Sequence, residues 1–376
     1  MQRNSKRLVA LAFLAVAGTV SASEIEMYGL IDAALSYTHK DNGVDTSNAF
    51  TMKSGPNSQS RFGIRGNEKI SDGLTVGFVL ENGFDVDTGA LGNGNRLFGR
   101  EAQVNLSGTY GTLKLGRMGA LMSGLGSTGI FGGTVSAFPS AKSTDVPNHK
   151  AVMGGVFSQH DNTITYVTPS FANTALHLQY STGRNVVTNG STDTSKRENT
   201  SDVDRYAAAG LVHTTKAFKW VALVDQLNYA KGGTGATPKN AYTVSLGGNY
   251  DFGTFRLHAA AQYFKDAKPT ISPYNDTKGA TSPDITYADG FGAILSTHIP
   301  FGQHAVKLGA GYMHAESAEN SDIDMDRGIL IAGYQYRFSK RTSFYATTGY
   351  GFDSYSKTGA EDANVASIES GLIHRF

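Results

Sequence analysis

In "SRFGIRG" two arginines, Arg61 and Arg65, are separated by Phe62 and Ile64, so an extended chain puts both cations on one face and the apolar pair on the other. The same alternation in "LTVGFVLENGF" sets Glu81 against Phe78 and Leu80, and in "MYGLIDAALSY" it sets Tyr28 and Asp32 against Ile31, Leu35 and Tyr37. Lys114 alternates with Leu113 and Leu115, and Arg117 follows where that run gives way to a glycine-rich segment. Charges fixed along one strand face make and break no bonds. They shape an electrostatic field along that face.

Bond-making chemistry has no comparable signature. No H-E-x-x-H, no G-x-S-x-G and no metal-spaced histidine group occurs, the ten histidines are scattered, and there is no cysteine. An enzyme, a metal site and a cofactor site are therefore not expected. "GLGSTG" formally reads G-x-G-x-x-G, but no βαβ unit surrounds it. Acids gather in "ESAENSDIDMD" (316–326), where a solvated surface is the simpler reading and divalent-cation bridging the sharper one.

The elements that must position these charges are strands. "TFRLHAAAQYF" places Phe255, Leu257, Ala259, Ala261 and Tyr263 opposite Arg256, His258 and Gln262, and "ILIAGYQYRFS" places Leu330, Ala332, Tyr334, Tyr336 and Phe338 opposite Gln335 and Arg337. Starts are expected near 26, 58, 73, 98, 109, 160, 173, 204, 217, 239, 253, 285, 303, 326, 341 and 364. Short connections ("DFGT", "IPFGQH", "FSKR") take turns with long polar ones near 181–203, 231–240, 266–284, 316–325 and 354–363. About sixteen antiparallel strands, apolar outside and polar inside, with short turns at one end and long loops at the other, describe an all-β transmembrane barrel.

Both termini fit that reading. "MQRNSKRLVALAFLAVAGTVSAS" has Arg3, Lys6 and Arg7 before an apolar run from Leu8 to about Val20 and a small-residue cleavage site, so residues 1–22 read as a signal peptide and 23–376 as the barrel. Three of the 33 basic residues and none of the 32 acids lie in the leader, so the remainder is close to neutral and offers no footprint for nucleic acid. The chain ends "SGLIHRF", with Leu372, His374 and Phe376 on one parity. An alternating strand running to the last residue is expected to pair with the first and close the sheet.

"YGLIDAALSY", "SQSRFGIRGNEKISDGLTVGFVLENGFDVDTG", "NRLFGREAQVNLSGTYGTLKLGR" and "GLIHRF" together resemble the general porins of Gram-negative bacteria, the betaproteobacterial type in particular. The resemblance implies a homotrimer of sixteen-stranded barrels in the outer membrane, in contact with lipid and lipopolysaccharide. Each barrel would be narrowed by an inward-folded third loop and would pass small hydrophilic solutes by passive diffusion. It also implies that Leu372, His374 and Phe376 are read by the outer-membrane assembly machinery. Arg100 in "GREAQVNL" shares parity with Ala102, Val104 and Leu106, which alone would send it outward, whereas the porin pattern carries an inward arginine there. The expected pore lining is then Arg61, Arg65, Arg100, Glu81, Asp32 and Tyr28, with Lys114 and Arg117 beside them. The constriction loop, after Arg117, contains "IFGG" (Ile130, Phe131, Gly132, Gly133) and reaches Asp145 without an acid before it. Relatives place a Glu where Ile130 stands, so a weaker transverse field and a weak anion preference are expected.

Overall fold

The computed structural model describes residues 24–138, 146, 148–188, 191–192, 196–231, 239–269, 285–356 and 361–376; the leader and Asp145 lie outside them. Alternation along the chain becomes a closed antiparallel barrel of sixteen strands. They are β1 (Glu24–Asp41), β2 in two halves (Thr46–Ser54 and Arg61–Ser71), β3 (Leu74–Gly83), β4 (Glu101–Gly108), β5 (Gly111–Gly119), β6 (Gln159–Val167), β7 (Thr174–Ser181) and β8 (Arg205–Thr214). The circuit continues through β9 (Phe218–Asn228), β10 (Ala241–Asp251), β11 (Arg256–Ala267), β12 (Ala288–Phe301), β13 (His304–Ser317), β14 (Asp324–Arg337), β15 (Thr342–Tyr355) and β16 (Ala363–Arg375). The expected starts fall near the observed ones throughout. One segment differs: Thr46–Ser54 lies in a region that the sequence reading leaves as loop, although Phe50 and Met52 alternate outward.

Closure joins β1 to β16, from Leu30 opposite Arg375 to Asp41 opposite Asn364. Beyond the ladder Gly29 and Phe376 exchange both main-chain hydrogen bonds, each 3.1 Å. The Phe376 ring lies across Gly29 so closely that a Cβ there would be 2.4 Å from ring carbon Cζ, so glycine is what lets the terminal aromatic cover the seam. Between its halves β2 leaves the ladder, and the buried Asp32 carboxylate accepts from the N–H groups of Asn57 (3.0 Å) and Ser58 (2.6 Å) and from the Tyr345 hydroxyl (2.8 Å). Backbone donors freed by the irregularity are thereby satisfied.

The outer face is apolar and banded. Rings near the short turns form one belt, through contacts such as Tyr250 with Phe252 (4.6 Å) and Tyr336 with Phe338 (5.0 Å). Tyr263, Phe291, Tyr312, Tyr350 and Phe352 form another toward the long loops. Phe344 and Phe352 on β15 are eight residues apart, about 27 Å along a strand, or about 20 Å of height after a tilt near 40°. That matches an apolar band between two interfaces. No helix among the described residues is long and apolar enough to cross a membrane; strands make the crossing.

Inside, the segment after β5 folds inward and carries the largest apolar cluster. Leu121, Met122, Ile130, Phe131, Val135, Phe138, Val152 and Met153 are buried against inward residues of β8–β14, including Val221, Leu223, Phe264, Ile294, Ile329 and Ile331. At about 1.5–3 kcal/mol for each large side chain removed from water, this cluster is what holds the loop across the lumen. Polar ties fix its register: Gly154 N–H donates to Gln262 Oε1 (2.8 Å), Ala137 N–H to Ser296 Oγ (3.0 Å), and Leu121 N–H to Gln179 Oε1 (3.0 Å). The second arm is anchored by Arg327, which donates to Ala151 O (3.0 Å) while making a buried bidentate pair with Asp353 (2.6 and 2.7 Å).

The opposite environments of neighbouring residues on β14 give a test. Leu330 is 60% exposed on the outer face and Ile331 is buried inside. Leu330→Arg is expected to cost about 2–4 kcal/mol in a lipid-vesicle folding titration, the depth-dependent cost of a cation on the lipid face, while Arg337→Gln on the lumen side leaves the midpoint nearly unmoved.

Candidate functional site

The inner wall of β1–β4 and the end of β16 faces the first turn of the inward loop across a cavity of about 580 Å³. Arg61, Arg65, Arg100 and Arg375 line the wall with Tyr28, Glu81 and Glu101; Gly124–Ser127 line the loop side. Glu81 is the hub. Its carboxylate accepts from Arg100 Nε (2.6 Å) and from the Tyr28 hydroxyl (3.0 Å), and Arg61 Nε lies 3.5 Å away. Arg100 also donates to Gln59 Oε1, and Arg61 to Gln59 O (3.0 Å). Arg65 stacks over the Tyr28 ring at 5.0 Å and pairs with Glu26 at 2.7 Å, both about half exposed, so that pair is weakened by water.

Arg100 reaches the lumen because it precedes the regular strand. β4 begins at Glu101, and Arg100 N–H donates to Glu81 O (3.2 Å), so strand parity does not govern its side chain. Within β4 the parity does hold, and it turns Glu101 inward. Its carboxylate accepts from Ser127 N–H (2.8 Å) and from the Ser127 hydroxyl, while Lys114 Nζ donates to Ser127 O and Oγ, both 2.9 Å. The loop's first turn is therefore clamped by an acid and a base that neutralise each other.

Arg117 stands apart from this group. It is in register with Ala102 on the outward face, and an extra residue in β6 between His160 and Thr163 lets Asp161 meet it: Arg117 donates to Asp161 Oδ1 (2.6 Å) and to Gly99 O (2.8 Å), and Arg96 joins the same carboxylate. Arg117 is a rim tie rather than a pore charge. Asp32 likewise carries no pore charge, because backbone donors and Tyr345 enclose it completely. Ile130 and Phe131 are turned away from the arginines, into the apolar cluster, where Ile130 lies over Gly210 of β8; Gly132 begins the short turn Gly132–Val135, and Gly133 stands clear of other side chains. Residue 130 therefore does not border the cavity that the arginines line. The loop residues that face the arginines are Gly124–Ser127, uncharged throughout.

Glu101 and Arg375 are the functional residues that the sequence reading left unassigned. Both were signalled by parity, Glu101 by Gln103 and Asn105 on its face and Arg375 by opposition to Phe376. His149, in the loop, is buried with neither ring nitrogen hydrogen-bonded and lies edge-on to Phe157 at 5.9 Å. Burial pushes its pKa down to about 3, so it packs as a neutral ring. Among the described residues no group of acids, histidines or cysteines is arranged to hold a metal ion.

Close approach of loop to wall is sharpest at Gly292 of β12, where a Cβ would sit 1.7 Å from Val152 O. Gly292→Val should force the loop's second arm off the wall while leaving the ladder paired. The expected result is a larger and noisier single-channel conductance with unchanged barrel folding; a conductance identical to that of the unmodified protein would contradict the seating described.

The model of the family described as Gram-negative porin matches residues 8–357. An outer membrane porin protein of Bordetella pertussis is 32% identical over 405 aligned positions, covering 99% of this chain and 100% of that protein. Outer membrane porin protein 32 of Delftia acidovorans is 27% identical, with 92% and 89% covered. Among solved structures, the anion-selective porin from Comamonas acidovorans superposes with a TM-score of 0.70 at 20% identity, covering 94% of this chain and all of that one. A trimer form of OmpT, an outer membrane protein of Vibrio cholerae, gives 0.60 at 16% identity, covering 95% of this chain and 100% of that one.

Proposed function

We propose an anion preference, set at the arginine wall, for a chain that belongs to the Gram-negative porin family and forms a passive channel in the outer membrane. One observation carries the proposal: four arginines face the cavity, Glu81 is shared between two of them and a phenol, and Glu101 is turned onto the loop. An uncharged loop opposite leaves the wall's excess positive charge uncompensated across the narrow passage. The fold is shared with a porin that is itself described as anion-selective. A hydrophilic anion would thus meet a favourable potential at the narrowest point, and a cation an unfavourable one.

The same reading extends to assembly. Outer residues of β4 and β5 are aliphatic, as at Val104, Leu106, Leu113 and Leu115. Such a face suits packing against a second copy, and a homotrimer is the arrangement we infer. We assign residues 1–22 as the export signal, place lipopolysaccharide against the long-loop belt, and take the Leu372, His374, Phe376 face as the assembly machinery's recognition signal.

In a salt gradient the unmodified channel should show a reversal potential of anion sign, and Arg61→Ser combined with Arg65→Ser should reduce or reverse it. A clear cation preference before any substitution would end this reading of the wall. Removal of Phe376 should leave the protein periplasmic or degraded, read as loss of heat-modifiable oligomer from outer-membrane fractions; a normal oligomer would contradict the role given to the terminus.

A further inference from the structure

On the short-turn side of the inward loop, the lumen wall of β9–β14 carries a second set of bases, apart from the arginine wall. Arg256, His298 and Lys307 lie directly opposite one another on three adjacent strands. His258 shares their face two residues along β11, and Lys219 joins the band through Asn249, which is in register with both Lys219 and His258. His298 lies within electrostatic reach of Lys307, His258, Arg256 and Arg337. His298 separates the two fixed cations of this rung, Arg256 and Lys307, so Lys307 has an imidazole and no carboxylate as its cross-strand neighbour on β12.

Compensation from the protein is slight. Asp251 pairs with Arg256 at 2.7 Å, and among the described residues it is the one carboxylate in this band. The chain has no Asp or Glu between Asp289 and Glu316, nor between Asp326 and Asp353, so the short-turn halves of β12, β13 and β14 present none. Among the described residues neither Lys219 nor Lys307 has a carboxylate partner. The Thr134 carbonyl, 3.0 Å from His258 Nδ1, roofs the band with the loop. Adjacent strands are about 4.8 Å apart, so a rung of three strands spans about 10 Å, room for an anion to touch two cations at once.

From this we propose that the band is a second anion station, which holds divalent oxyanions (sulfate, hydrogen phosphate or a small dicarboxylate) in the periplasmic vestibule after or before they pass the arginine wall. It rests on the anion-passing channel argued above, but it predicts something the wall alone does not, a site that discriminates charge number on one side of the loop.

The test uses chloride currents through the intact oligomer in planar bilayers, with sodium sulfate added to one chamber at a time. Sulfate on the short-turn side should block at lower concentration than on the long-loop side. His298→Gln with Lys307→Gln should weaken that block about tenfold, the change that about 1.4 kcal/mol of lost binding gives, while Lys307→Arg keeps it and so guards against a folding artefact. Arg61→Ser with Arg65→Ser should shift the reversal potential and leave the sidedness of the block. Equal block from both sides, or an unchanged block in the doubly substituted channel, would overturn the station. A cation-preferring reversal potential with sided sulfate block intact would overturn the wall's role and not the station's.

Discussion

Everything in this molecule follows from the absence of hydrogen-bonding solvent around its outer surface. A backbone N–H or C=O facing hydrocarbon has no partner but another strand, so the sheet must meet itself. The meeting point is made of the least and one of the largest side chains available, Gly29 beneath the Phe376 ring, with two main-chain bonds between them. Closure at that seam fixes which parity faces lipid on β1 and β16, and antiparallel register passes the assignment to every other strand. The interruption in β2 is tolerated because Asp32 supplies inside the protein what lipid cannot.

A barrel of this size encloses water, and a water-filled interior cannot be held by a hydrophobic core at its centre. The core is instead displaced to one side. Loop residues Leu121, Met122, Ile130, Phe131, Val135, Phe138, Val152 and Met153 pack on the inner wall of β8–β14, where apolar side chains such as Val221, Leu223, Ile294, Ile329 and Ile331 face inward while Leu330 faces outward. The lumen is thereby divided into a covered side and an open side. The open side is where β1–β4 present arginines, so the apolar packing of the loop is also what narrows the passage onto the charged wall.

The outline was legible because its physics is local. Period-two alternation and the turn-taking of short and long connections need only neighbouring residues, and they located nearly all the strands. Parity also placed Arg61, Arg65, Glu81 and Tyr28. It failed at Arg100, just ahead of β4; at Arg117, beside the extra residue of β6, and at Asp32, opposite the break in β2, local partners that alternation does not reveal take up the charge. Ile130 illustrates a different limit. A loop's side chains are directed by what they pack on, and its partner Gly210 is remote in sequence; nothing in "IFGG" tells that the isoleucine faces the wall and the preceding Gly124–Ser127 turn faces the pore.

Charge is distributed along the passage in an order that a composition near neutrality conceals. Acids cluster at the long-loop end, as in Glu316–Asp326, while bases line the arginine wall and the short-turn vestibule. At physiological salt the Debye length is about 8 Å, shorter than the strand lengths that separate these zones, so each acts on an ion in turn instead of summing to a nearly neutral average. The outer acids can raise the local concentration of cations at the mouth without setting what crosses. On the reading proposed for the wall, an ion's selection is decided between the arginines and the loop turn. There the fixed charge is set by four guanidiniums and by how completely Glu81 and Glu101 are occupied with partners of their own.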